Sequence, residues 1–233
     1  MYVILYSLIA LVIILCIVPM SSGFFAGLGL ILAVIAVIAI LKRNHDIKSS
    51  MKNYNEDSLI IQNVREGGVI KIANVDGYDT DLDLKVIGRN LYMEGDYSWY
   101  ELECLRPDGE KVWVDVEDDD ELMVSVVLDK LRYAQIKLSN TLENIDEEES
   151  GTVKYNNVVF SYQDSGEANF YRHCDDKKVE KFSYWDFKTM EGKYLISIEK
   201  WKNEVGREDM TIYYSQNIRP LSSITIYSTH QEG

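Results

Sequence analysis

The pattern of apolar and polar positions divides the chain at residue 41. Residues 2–18 and 24–41 are apolar runs without a single charge, separated by the turn formers and breakers of Pro19-Met20-Ser21-Ser22-Gly23. At 1.5 Å per residue each run makes a helix of roughly 26 Å, close to the ~30 Å hydrocarbon core of a bilayer. Segment 1–41 therefore predicts two transmembrane helices, about 2–18 and 24–41, joined by a tight turn. A cleaved signal peptide is the alternative for the first run, although its start offers no positive side chain. In the second run Gly29, Ala33 and Ala36 fall on one helix face, which predicts close packing of the two spans.

Beyond residue 41 the pattern changes to polar chain and then to the two-residue period of strands. Residues 42–64 predict a polar tether and a short helix over 59–64, capped by Asp57 or Ser58 and stopped by Gly67-Gly68. A first β lobe follows over 65–142, with strands at 69–72, 83–87 and 113–116. Residues 122–128 predict a further strand, and a helix over 120–138 is the alternative. Residues 143–150 form an acidic, solvated connection. A second β lobe spans 151–228, with strands at 157–162, 168–172, 181–187, 194–198, 210–214 and 223–227, and 229–233 is a tail.

An internal echo links the lobes. Ser98-Trp99-Tyr100-Glu101-Leu102 precedes an Asp108-Gly109 turn and the strand Trp113-Val114-Asp115-Val116-Glu117. Ser183-Tyr184-Trp185-Asp186-Phe187 precedes Glu191-Gly192 and Leu195-Ile196-Ser197-Ile198-Glu199. Both read as polar, two aromatics, acid and apolar, then a turn, then an alternating strand ending in Glu. The echo predicts two related antiparallel lobes, each built on an aromatic hairpin.

Charge sets the orientation. All charged side chains lie after residue 41, and the net charge is −14. Lys42, Arg43, Lys48 and Lys52 follow the second span directly, so the positive-inside rule places the C-terminal domain in the cytoplasm of a multi-pass membrane protein. Only Cys104 and Cys174 fall outside the first run, which suits a reducing compartment. The acidic balance excludes a nucleic-acid partner held by bulk charge.

The aromatic motifs carry a family resemblance. Trp99, Glu101 and Leu105 form a W-x-E-x-x-x-L-like strand, and Trp113 to Glu117 reads W-V-x-V-E. With residues 182–187 and 195–201, behind a two-helix lead, they resemble a membrane-anchored member of the bacterial domain of unknown function numbered 4178. The resemblance covers most of 65–227. It implies an architecture and a bacterial origin, and it implies no active-site residues.

Candidate chemistry is sparse. Asp79, Asp81 and Asp83 alternate as in a calcium loop, but the sixth and twelfth loop positions are Leu84 and Asn90 rather than Gly and Glu. The run 117–121 reads as a solvated turn. There is no GxSxG elbow, no phosphate-binding glycine loop and no cofactor motif. Trp99, Tyr100, Trp113, Tyr184, Trp185 and Trp201 read as strand core, with a ligand groove as the alternative. The expected protein is mainly β and antiparallel, with two similar lobes behind a transmembrane hairpin. It is a non-enzymatic binding or accessory module without a cofactor, anchored in the bilayer through 2–41. Its partner is another membrane or cytoplasmic protein, and the charge favours a basic protein, peptide or polyamine. The alternative is an enzyme or metal-binding domain using an acidic cluster.

Overall fold

Long stretches of alternating burial dominate the computed structural model, which describes residues 58–175, 177–202 and 208–230. Both apolar runs, with Gly29, Ala33 and Ala36, lie outside the described residues. Among the described residues no helix is long and apolar enough to cross a membrane. The strands are β1 (Gly67–Ile72), β2 (Leu82–Glu94), β3 (Tyr97–Leu105), β4 (Lys111–Asp118), β5 (Leu122–Leu131), β6 (Lys137–Leu138), β7 (Thr152–Tyr155), β8 (Val158–Tyr171), β9 (Val179–Lys188), β10 (Tyr194–Lys202), β11 (Glu208–Asn217) and β12 (Ile224–His230). A helix, α1 (Leu142–Glu148), lies between β6 and β7.

All strands join one antiparallel sheet in the order β12-β1-β2-β3-β4-β5-β11-β10-β9-β8-β7-β6. Two seams connect the first and second strand series. β5 pairs with β11, and a short contact of Leu91, Tyr92 and Met93 with Tyr171, Phe170 and Asn169 pairs β2 with β8. The second seam closes β2, β3, β4, β5, β11, β10, β9 and β8 into a barrel.

The apolar face of this barrel points outward. In β4, Val112, Val114 and Val116 enter an outer core with Ile70 and Ile72 of β1, Val86, Leu102 and Val126. On the opposite flank Trp185, Phe187, Ile196, Ile198 and Ile212 pack against Leu142 and Ile145 of α1, Val153 and Phe160. Burying each such side chain stabilises the fold by roughly 1.5–3 kcal/mol relative to exposure. The elements outside the ring thus cover its apolar surface, and the alternate positions turn into the ring.

Several expectations are corrected. Residues 59–64 form only a single 3₁₀ turn, Ile61–Asn63, without a side-chain cap, because so short a segment does not offset the cost of nucleating a helix. The strand expected over 122–128 is present and runs to Leu131, and the alternative helix over 120–138 does not form, since Val124 and Val126 belong to the apolar core and β5 pairs on both edges. The acidic connection contains α1. Thr141 Oγ1 accepts from Asn144 N at 3.3 Å, and Leu142 and Ile145 are buried. Gly151 is required beneath it, since a Cβ there would stand 2.7 Å from Ile145. The strands expected at 157–162 and 168–172 are one strand, β8, with a register shift between Tyr162 and Asp164.

Candidate functional site

Each inward position of the ring continues the alternation that buries its neighbours outside. In β3 Leu102 is outer core, so Glu101 turns in; in β4 Val114 and Val116 are outer core, so Asp115 and Glu117 turn in. The inner walls surround a cavity of about 140 Å³. Six carboxylates line it: Glu101, Asp115, Glu117, Asp164, Asp186 and Glu199. Among the described residues no Lys, Arg or His lines it. Glu101 stands opposite Asp115 across β3–β4, and Asp164 stands opposite Asp186 across β8–β9. The first pair is deep, with Glu101 buried, whereas Asp164 is exposed at the rim.

Neutral donors hold these acids. Asn90 Nδ2 donates to Glu101 Oε1 at 2.8 Å, and the Tyr92 hydroxyl reaches Glu101 Oε2 at 3.5 Å. Ser125 Oγ donates to Asp115 Oδ2 at 3.1 Å, and Trp201 Nε1 donates to Glu199 Oε2 at 3.0 Å. The Tyr97 hydroxyl donates to Glu117. The Tyr184 hydroxyl donates to Glu94 and lies 3.3 Å from Asp164.

Unit charges 4 Å apart repel by ~4 kcal/mol at an effective dielectric of ~20, and hydroxyl donors offset this only in part. Protonation relieves the strain. Burial, followed by the charge of Glu101, pushes Asp115 up to about 8. Burial also pushes Asp186 up to about 7, against a hydrogen bond from Ser197. Burial raises Glu101, and it raises Glu199 further with help from Glu101 and Asp115. Burial first, and acidic neighbours after it, also raise Tyr92, Tyr97, Tyr184 and Tyr213, so these phenols remain neutral donors.

The model of the domain of unknown function DUF4178 matches residues 81–220. The chain belongs to this family. The matched span holds every ring strand of this DUF4178 protein and all six carboxylates. No curated protein and no solved structure matches the chain.

The aromatic residues singled out by sequence divide between the two faces of the DUF4178 barrel. Trp99 and Tyr184 line the cavity. Tyr92 stacks on Trp99 at 5.2 Å, and Trp201 stacks on Phe182 at 4.5 Å. Tyr100 and Trp185 face outward: the Arg89 guanidinium covers the Tyr100 ring at 3.6 Å, and Trp185 belongs to an outer core. Trp113 is half-buried opposite Glu103 on β3–β4, beyond the lining residues. Asp79, Asp81 and Asp83 are exposed at the approach to β2 and along it, where Asp81 pairs with Lys71 at 3.1 Å. Among the described residues no group of three or more His, Cys, Asp or Glu side chains is arranged to hold a metal ion.

Sequence reasoning missed the barrel acids, although the echo contains them. Its acid position is Glu101 in one half and Asp186 in the other, and its terminal Glu is Glu117 or Glu199. Within the run 117–121 only residues 118–121 are exposed, while Glu117 turns into the ring.

Proposed function

We propose that this DUF4178 protein is a non-enzymatic binding module whose barrel interior takes a cationic ligand. The observation that carries the reading is a cavity lined by six carboxylates and, among the described residues, by no basic side chain. A cation entering it relieves the repulsion that otherwise requires protons, so attraction is strongest where the empty protein is least comfortable. The dispersed carboxylates favour this reading over a metal centre. The echo supports two related halves, since each seam joins counterpart strands: β5 with β11, and β2 with β8.

The test titrates full-length protein in detergent with 1-aminobutane, 1-butanol and butyrate, read by tryptophan fluorescence. Only the amine is expected to bind. Glu101→Gln should weaken it about tenfold or more, the usual scale for losing a charge-assisted hydrogen bond. Asp79→Asn should leave affinity unchanged. Wild-type affinity in Glu101→Gln would remove the barrel as the site.

The same proposal holds the module at the inner face of a bacterial membrane through 2–41, with Lys42, Arg43, Lys48 and Lys52 retained on the cytoplasmic side. Alkaline phosphatase fused after Gly233 should therefore be inactive in intact, inserted fusions. High phosphatase activity would reverse the orientation.

A further inference from the structure

The barrel carboxylates are arranged as two opposed pairs at different depths. Glu101 and Asp115 face each other in the interior, and Asp186 and Asp164 face each other toward the exposed rim. Like charges directly opposed on neighbouring strands destabilise a sheet. Glu117 of β4 and Glu199 of β10 line the same cavity and add further negative charge. Glu94 of β2 bonds Tyr184 beside the rim pair. From β2, β9 and β11 the pairs are faced by Tyr92, Tyr184 and Tyr213, and from β5 by Ser125, none of which is basic. Arg172, which is not a lining residue, acts on Glu101 only as a minor lowering influence behind burial.

The wall also determines what kind of cation fits. Ionised carboxylates only accept hydrogen bonds, so a matching ligand must bring N–H donors, and a primary ammonium has three. A quaternary ammonium brings none and needs open aromatic faces. Here Tyr92 stacks on Trp99 and Phe182 stacks on Trp201, so these rings already cover one another. The cavity of about 140 Å³ resembles in size the ~150 Å³ apolar cavity that holds benzene, which admits a short carbon chain and not a peptide.

We infer that the barrel binds a short aliphatic diammonium lengthwise, one ammonium on the Glu101–Asp115 pair and the other on the Asp164–Asp186 pair, in exchange for protons. The inference rests on the cationic-ligand reading above and adds the ligand's chemical class, its two-point attachment and its coupling to pH. One ammonium restores the ionised form of the Glu101–Asp115 pair and the other that of Asp186, and the displaced protons pass to solvent. No covalent bond changes. Because Asp115 and Asp186 are pushed up to about 8 and about 7, the exchange operates between about pH 6 and 8. Affinity rises with pH across that window, by up to about tenfold per unit for each proton displaced.

Calorimetry on full-length protein in detergent tests this directly. The probes are diamines of three to six carbons, 1-aminobutane and calcium chloride, at pH 6 and pH 8, in two buffers of different ionisation heat. At least one diamine is expected to bind ten times or more tighter than 1-aminobutane, to bind about tenfold weaker at pH 6, and to release protons at pH 7. Asp164→Asn with Asp186→Asn should lower that diamine to the level of the monoamine. Equal affinity for the monoamine and every diamine overturns two-point attachment while leaving the cationic reading intact. Tight diamine binding without proton release overturns the exchange. Calcium bound in preference to every amine overturns the organic class. If no cation binds, both this inference and the reading beneath it fail.

Discussion

Asp115→Asn should stabilise the ligand-free protein by a few kcal/mol at pH 8 and change little near pH 4. An aspartate in the unfolded chain titrates near ~3.9. In the fold, burial and then Glu101 push Asp115 up to about 8, so the native state binds a proton that the unfolded state has already released. The stabilising contribution is fully present below about pH 4 and is lost as pH rises through about 8. Each unit of difference corresponds to ~1.4 kcal/mol, so this single side chain accounts for an effect of order ~5 kcal/mol at most. Asparagine never ionises, and its Oδ1 can still accept from Ser125 Oγ, which now donates to Asp115 Oδ2 at 3.1 Å. Thermal melts of full-length protein in detergent should show wild type losing stability from pH 5 to pH 8. The Asp115→Asn protein should lose clearly less, with a melting point at pH 8 about 5–10 °C higher. A variant less stable than wild type at pH 8 would mean that the carboxylate is ionised and satisfied in the fold.

That sign is opposite to what a buried ion pair would give, and it follows from a feature no local pattern shows. Alternation in β4 tells that Val112, Val114 and Val116 share one face while Trp113, Asp115 and Glu117 share the other. It does not tell that the polar face closes on itself. Closure depends on the contact of β2 residues 91–93 with β8 residues 169–171, short and remote in sequence, which carries no motif. A polar strand face is therefore read as solvated when it is in fact the wall of a cavity. The echo was visible, yet its weight fell on the aromatic residues rather than on the acid beside them. In each hairpin the two adjacent aromatics point to opposite faces, so Trp99 is equivalent to Tyr184, and Tyr100 to Trp185. α1 was hidden by composition: its acidic residues suggest solvent, while the Thr141 cap and the spacing of Leu142 and Ile145 were the available helix signals.

The division of the aromatics makes Trp185→Ala and Trp99→Ala very different experiments. Trp185 is paired with Ile198 across β9–β10 and packs among Phe187, Ile196 and Ile212, in the core that α1 covers. Removing the indole leaves a cavity among side chains fixed by strand pairing on both edges of β9, and such truncations cost about 3–5 kcal/mol. Trp99 is half-buried, lines the cavity and stacks on Tyr92 at 5.2 Å, with Tyr184 edge-on at 6.1 Å. Its loss widens a space that already exists, so the stability cost should be at most half that of Trp185→Ala. The larger effect of Trp99→Ala should fall on binding, because Tyr92 loses its stacking partner and its hydroxyl no longer holds Glu101 in place. Paired measurements separate the two roles: melting points for stability, and 1-aminobutane affinity for the site. Trp185→Ala should lower the melting point strongly while the folded fraction binds as wild type. Trp99→Ala should weaken binding several-fold with a smaller loss of stability. Equal melting-point losses with unchanged binding in both variants would make Trp99 a core residue like Trp185 and take the aromatic wall out of the binding site.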